Sequence, residues 1–262
     1  MEIWVQIVLF AVPGAVIYYG VHRGVPRALG RGRTLLWTFF GWLWVPVFLL
    51  APLTLALYRF REGGTLSLAA MASRFRFVPL TGRDWFLVAG GVILTLVTEE
   101  ALSFTSRRLA RVSWLKPPDY LPAPFHPHKS LTLPLQSFMG TPLRGNWPLF
   151  CVFVPLHALA MFSEELMWRG YLLPLQEAAY GGWAVVINGV LWAWVLHACL
   201  KWHLVAMLPG MLVAPFVAWQ TGSTWGSLLV HGLSNAVLWG LLLAGILGVG
   251  SVVPKERGGT KS

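Results

Sequence analysis

The sequence predicts an all-α, polytopic integral membrane protein with seven or eight transmembrane helices. Three observations carry that expectation. The 262 residues are 56% hydrophobic and only 11% charged, with a mean hydropathy of +0.63, whereas a soluble domain carries roughly twice that charge. The apolar residues are gathered into runs, several near the roughly 20 residues that cross a bilayer. The formal net charge of +10 sits mostly between those runs, where Lys and Arg meet anionic headgroups. No soluble basic domain exists to hold a duplex, so nucleic acid is not an expected partner; membrane lipids are. The fifteen Trp fit the same picture, because an amphipathic ring settles at the headgroup level. The expected location is a multi-pass position in a membrane, the bacterial cytoplasmic membrane by this reading.

Ile3–Tyr19 is the first expected span, with a kink at Pro13 and Gly14, which membrane helices tolerate. It has no basic n-region or small-residue cleavage site, so it reads as a retained helix. A loop with Arg23, Arg27, Arg31 and Arg33 leads to the second span, Leu35–Tyr58. In Arg59–Asp84, Leu66, Leu68, Met71 and Phe75 can form a short helix lying in the interface. Trp85–Phe104 is the third span. Thr105–Asn146 carries Pro117, Pro118, Pro122, Pro124 and Pro127 and reads as an extended surface loop. Its His126 and His128 read as solvated, since alternate spacing on such a loop makes a poor fixed metal site. Trp147–Phe162 runs into a charged motif and on to about Tyr171, before Pro174. Trp183–Leu200, Leu204–Trp219 and Trp225–Val249 complete the count, with Tyr171–Tyr180 as part of an eighth. The expected organisation is a three-helix region with its proline-rich loop at 1–146, a core at 147–250, and a polar tail at 251–262 whose Pro254–Ser262 reads as disordered. Similar Lys and Arg counts in the first three loops leave orientation open. Cys151 and Cys199 lie in apolar runs and read as small apolar side chains.

Few polar groups lie deep within these runs: His157, Glu164, Glu165, Arg169, His197, His231 and Asn235. Ionised side chains at that depth are costly and mark function by default. On a helix Glu165 and Arg169 lie four apart and can pair, while Glu164 points about 100° away around the axis. His231 and Asn235 share another helical face, and His197 comes from a third helix. Such a set can take a proton from water, orient that water, and donate to a developing oxyanion. Glu164, His197 and His231 can equally ligate a metal such as zinc, leaving an open position, although His-Glu-x-x-His is absent. A structural alternative is that each residue only hydrogen-bonds between helices. His157 lies nearly on the Glu164 face but roughly 10 Å along the axis, and reads as packed or pore-lining. Glu99 and Glu100 form a second adjacent pair, but position 104 is Phe. They read as an acidic helix end drawn toward the headgroups.

Glu164-Glu-Leu-Met-Trp-Arg-Gly-Tyr-Leu172 resembles the first motif of the CPBP family of intramembrane proteases, which includes the type II CAAX prenyl endopeptidases and Abi proteins. His231-Gly-Leu-Ser-Asn235 is similar to that family's last motif, and Thr221–Val230 to the approach to it. The middle motif is normally Phe, three residues, then His. Here His197 is present, but position 193 is Ala, flanked by Trp192 and Trp194. The resemblance covers roughly Trp147–Leu243. It implies that Glu164 activates the hydrolytic water with His197, that His231 and Asn235 stabilise the oxyanion, and that Glu165 and Arg169 shape the site. The implied substrate is a peptide or protein, lipid-modified or bearing a C-terminal or leader signal.

The expected function is therefore intramembrane endopeptidase. The alternative is a non-enzymatic immunity or scaffold protein of the same fold. A transporter or proton channel would want carboxylates at several depths, and only Glu164 and Glu165 are clearly deep.

Overall fold

A computed structural model describes residues 1–249, so the polar tail, including Pro254–Ser262, lies outside the described residues. Among them the only strands are two-residue pieces, β1 (Ser137–Phe138) and β2 (Thr141–Pro142), paired antiparallel. Everything else that is regular is helical: α1 (Ile3–Leu29), α2 (Leu35–Arg61), α3 (Leu68–Arg74), α4 (Gly82–Ala101), α5 (Ser103–Leu109), α6 (Trp147–Tyr180), α7 (Trp183–Leu196), α8 (Leu208–Thr221) and α9 (Thr224–Leu247).

Four of these, α1, α2, α6 and α9, are long and apolar enough to cross a membrane; α4 and α5, bent by 41°, make a fifth if taken as one span. The chain is thus a multi-pass integral membrane protein. The two other expected spans appear as α7 and α8, each of 14 residues, about 21 Å of helix against a hydrocarbon core of about 30 Å. Between them the chain leaves the α-helical path through a 3₁₀ stretch, Ala198–His203, in which Leu200 has φ −102° and ψ 42°. Tyr171–Tyr180 does not start another span but continues α6 across Pro174. Proline cannot donate to the carbonyl four residues back. That carbonyl, on Gly170, instead accepts from Arg74 Nη1 at 3.2 Å.

The first helix runs through Pro13 and Gly14 rather than stopping there, and its irregularity lies later, in a π turn at Gly20–Gly24. Gly14 serves contact: a Cβ there would run into the Val195 carbonyl oxygen of α7. Three fully buried amides fasten the same helices. Asn188 Nδ2 donates to Gln176 Oε1 at 2.8 Å and Gln176 Nε2 to Gln6 Oε1 at 2.9 Å, joining α7, α6 and α1. One continuous apolar cluster extends from Phe10 and Ile17 through Phe40 and Phe153 to Trp168 and Trp202.

The short helix expected in this stretch is α3, its first turn capped by Ser67. The chain after it is held firmly: Arg76 makes a bidentate ion pair with Glu177 at 2.8 Å, and Thr224 Oγ1 donates to the Phe75 carbonyl at 2.6 Å. The proline-rich loop differs from expectation. It packs inward instead of lying along the surface, with Leu121, Leu135, Phe138 and Leu143 buried. Tyr120 donates to the Val21 carbonyl at 2.6 Å, and burial pushes its phenol pKa up. Gly145 donates to the Ile246 carbonyl at 2.9 Å. His126 is buried, not solvated, and desolvation followed by nearby Lys129 lowers its pKa, whereas His128 is exposed.

Candidate active site

The charged motif sits where α6 changes from α to π geometry. The α segment ends at Glu165 and a π segment occupies Leu166–Leu172; single π turns inside helices recur at functional sites. Glu165 is fully buried, and its Oε1 accepts from Arg169 Nη1 at 2.8 Å, the pairing expected from the spacing. The same oxygen accepts from His231 Nδ1 at 3.0 Å. A carboxylate stripped of water is tenable here because two donors converge on it.

Glu164 is buried too but has no cation bonded to it. Its Oε2 accepts from the Trp192 indole Nε1 at 2.6 Å, and no hydrogen bond to Oε1 is found among the described residues. His197 lies at the point where α7 gives way to the 3₁₀ stretch. Its Nδ1 is 3.0 Å from the Trp192 carbonyl oxygen, an acceptor, so Nδ1 carries a proton and Nε2 is left for the cavity. Asn235 Nδ2 donates to the His231 carbonyl at 3.0 Å, which engages one of its two N–H groups.

Glu164, His197, His231 and Asn235 all line one cavity of about 350 Å³. Its walls include the apolar Ile17, Phe40, Trp44, Met161 and Leu238, and beside those four groups the polar Thr95 and Ser234. Glu165 and Arg169 are not among its lining residues; they lie behind it. His157 lines the cavity as well. Its Nδ1 accepts from Trp239 Nε1 at 3.1 Å and its ring stacks on Trp44 at 5.8 Å, which agrees with a packed, lining histidine.

Three residues gain a place that sequence reasoning did not assign. Trp192 is the centre of the cluster. Besides its bond to Glu164, its ring lies 3.7 Å from the Arg169 guanidinium carbon, and His231 and His197 meet it edge-on at 4.9 Å and 5.7 Å. Its signal was present as an aromatic one position off the expected place. His203 also lines the cavity, with Nδ1 2.8 Å from Ser106 Oγ. Glu99 lines it too, from α4, while Glu100 is exposed and is not among its lining residues. A lone acid at a helix end carries no sequence signal for facing a cavity.

The donor set does not fit a metal ion. Among the described residues no group of three or more His, Cys, Asp or Glu is placed to hold one.

No curated protein and no solved structure matches this chain. Residues 146–237, which hold Glu164, Glu165, Arg169, His197, His231 and Asn235, match the family model described as type II CAAX prenyl endopeptidase Rce1-like.

Proposed function

We propose that this protein is an intramembrane endopeptidase that hydrolyses a peptide bond near or within the membrane plane. The supporting observation is that Glu164, His197, His231 and Asn235, from three helices, line one cavity inside the matched segment. Glu164 takes the proton of the attacking water through its unengaged Oε1. His197, with Nδ1 on the Trp192 carbonyl, accepts from that water through Nε2 and fixes its orientation. The water oxygen forms its bond to the scissile carbonyl carbon as the proton moves to Glu164.

The carbonyl oxygen becomes an oxyanion. The second N–H of Asn235 and, in its protonated form, Nε2 of His231 donate to it. Glu165 and Arg169 hold His231 from behind, through the bond to Nδ1. Glu164 then returns its proton to the departing amine, so no external oxidant or metal-bound water is required. The substrate is a peptide or protein, and the family match favours one processed near a lipid-modified C-terminus.

The test uses purified protein in detergent and a farnesylated, internally quenched peptide ending in a CAAX sequence. Cleavage is expected with wild type and is expected to fall sharply with Glu164→Gln. Full activity in that variant sinks the assignment. A chelator is expected to leave the wild-type rate unchanged; a loss restored by zinc overturns the metal-free form of the mechanism.

A further inference from the structure

We propose that Trp192 is a positioning residue: its indole N–H locks the Glu164 carboxylate in the orientation that leaves Oε1 free for water. This deepens the endopeptidase reading and rests on it for the identity of the reaction.

The backbone explains how Trp192 comes to stand there. α7 ends in a π segment, Leu191–Leu196, and the His197 N–H donates to the Trp192 carbonyl five residues back, at 3.2 Å. A π turn holds one more residue than an α turn. The residue five before His197 therefore takes the place that an α-helix would give to the residue four before, which is Ala193. Ala193 is fully buried and supplies no ring. The aromatic expected at position 193 is supplied from position 192 through the wider turn.

That replacement has a chemical consequence. A phenyl ring offers only an edge and a face, whereas an indole adds an N–H donor. Here the donor reaches Glu164 Oε2 at 2.6 Å. The face of the ring lies over Arg169, and its edges meet His231 and His197. Each contact removes a rotation, so Trp192, 2% exposed, has one way to sit. Glu164 inherits that order through its hydrogen bond. Pre-organisation of this kind speeds a reaction because the base does not have to be gathered from several rotamers as the water is activated.

The experiment compares wild type with Trp192→Phe, which keeps a ring and removes the N–H. Full-length protein in detergent is assayed on the farnesylated quenched peptide. A hydrogen bond to a charged acceptor contributes enough for kcat to fall about tenfold to a hundredfold on its loss, while KM is expected to change less than about twofold. Isotope-edited infrared difference spectra against Glu164→Gln isolate the Glu164 carboxylate stretch, which is expected to shift in Trp192→Phe. A ring that served only as packing would leave both kcat and the stretch at their wild-type values, and that result overturns the proposal. Trp192→His, which retains a ring N–H, is expected to recover part of kcat. Should Trp192→Phe not fold, a benzothienylalanine at 192, with sulfur in place of the N–H, carries the same comparison. If wild type leaves the peptide uncut while the stretch still shifts, the endopeptidase reading fails and the positioning of Glu164 stands.

Discussion

The chain contains two adjacent pairs of glutamates in apolar helices, and the structure treats them differently. Glu164 and Glu165 sit inside the helix bundle, where Glu165 is neutralised by Arg169 and steadied by His231. Glu164 is held by a neutral donor only. Glu99 and Glu100 close α4, both exposed, with no ion pair to either among the described residues. Adjacent carboxylates alone thus specify little. In the first pair one member is neutralised, which makes its burial tolerable, and the other stands at a cavity wall with no cation bonded to it. Glu99 qualifies the contrast, because it lines the same cavity as Glu164.

The comparison can be broken from its strongest side first. Glu164→Gln is expected to reduce peptide cleavage about 10²- to 10⁴-fold, the range for a general base, with little change in unfolding temperature. Equal loss of stability would mean that Glu164 is structural like its neighbour. Arg169→Met is expected to do the opposite: it leaves Glu165 buried without its cation and costs about 3–5 kcal/mol, read as a lower unfolding midpoint in detergent. An unchanged midpoint would show that His231 suffices to hold Glu165.

A third region sharpens the same point. The amide ladder of Gln6, Gln176 and Asn188 is as deeply buried as the site but carries no charge, and none of the three lines the cavity that holds Glu164. Gln176→Leu takes one hydrogen bond from each partner, leaving buried Gln6 Oε1 and one N–H of Asn188 without it, and is expected to destabilise by about 1–3 kcal/mol, while the remaining folded protein retains its kcat. The smallest effect is expected at the second acidic pair. Glu99→Gln and Glu100→Gln should each change stability by less than about 0.5 kcal/mol. A rate change of more than about threefold in Glu99→Gln alone would make the Glu99 wall of the cavity part of substrate binding.

Much of this was legible in the chain. The Glu165–Arg169 pair follows from a spacing of four on one helix, and the segregation of apolar runs from basic loops marks the membrane. His231 and Asn235 declare a shared face by the same arithmetic. Less legible were features set by departures from ideal helices. The continuation of α6 past Pro174 needed Arg74, remote in sequence, to satisfy Gly170. The shortness of α7 and α8 followed from the 3₁₀ stretch between them, which composition does not announce. The buried state of His126 depended on the proline-rich loop turning inward.

Local spacing and side-chain chemistry by themselves determined that this is a helical membrane protein, which acid pairs with which base, and which polar groups lie deep in its apolar runs. Tertiary structure decided which of them meet. An α-helix carries a fixed angular step, so residues four apart can be placed from sequence, but a π turn changes that step, and only the packed helices show where one occurs. The π turn at Leu191–Leu196 contains Trp192, whose indole N–H meets the Glu164 carboxylate.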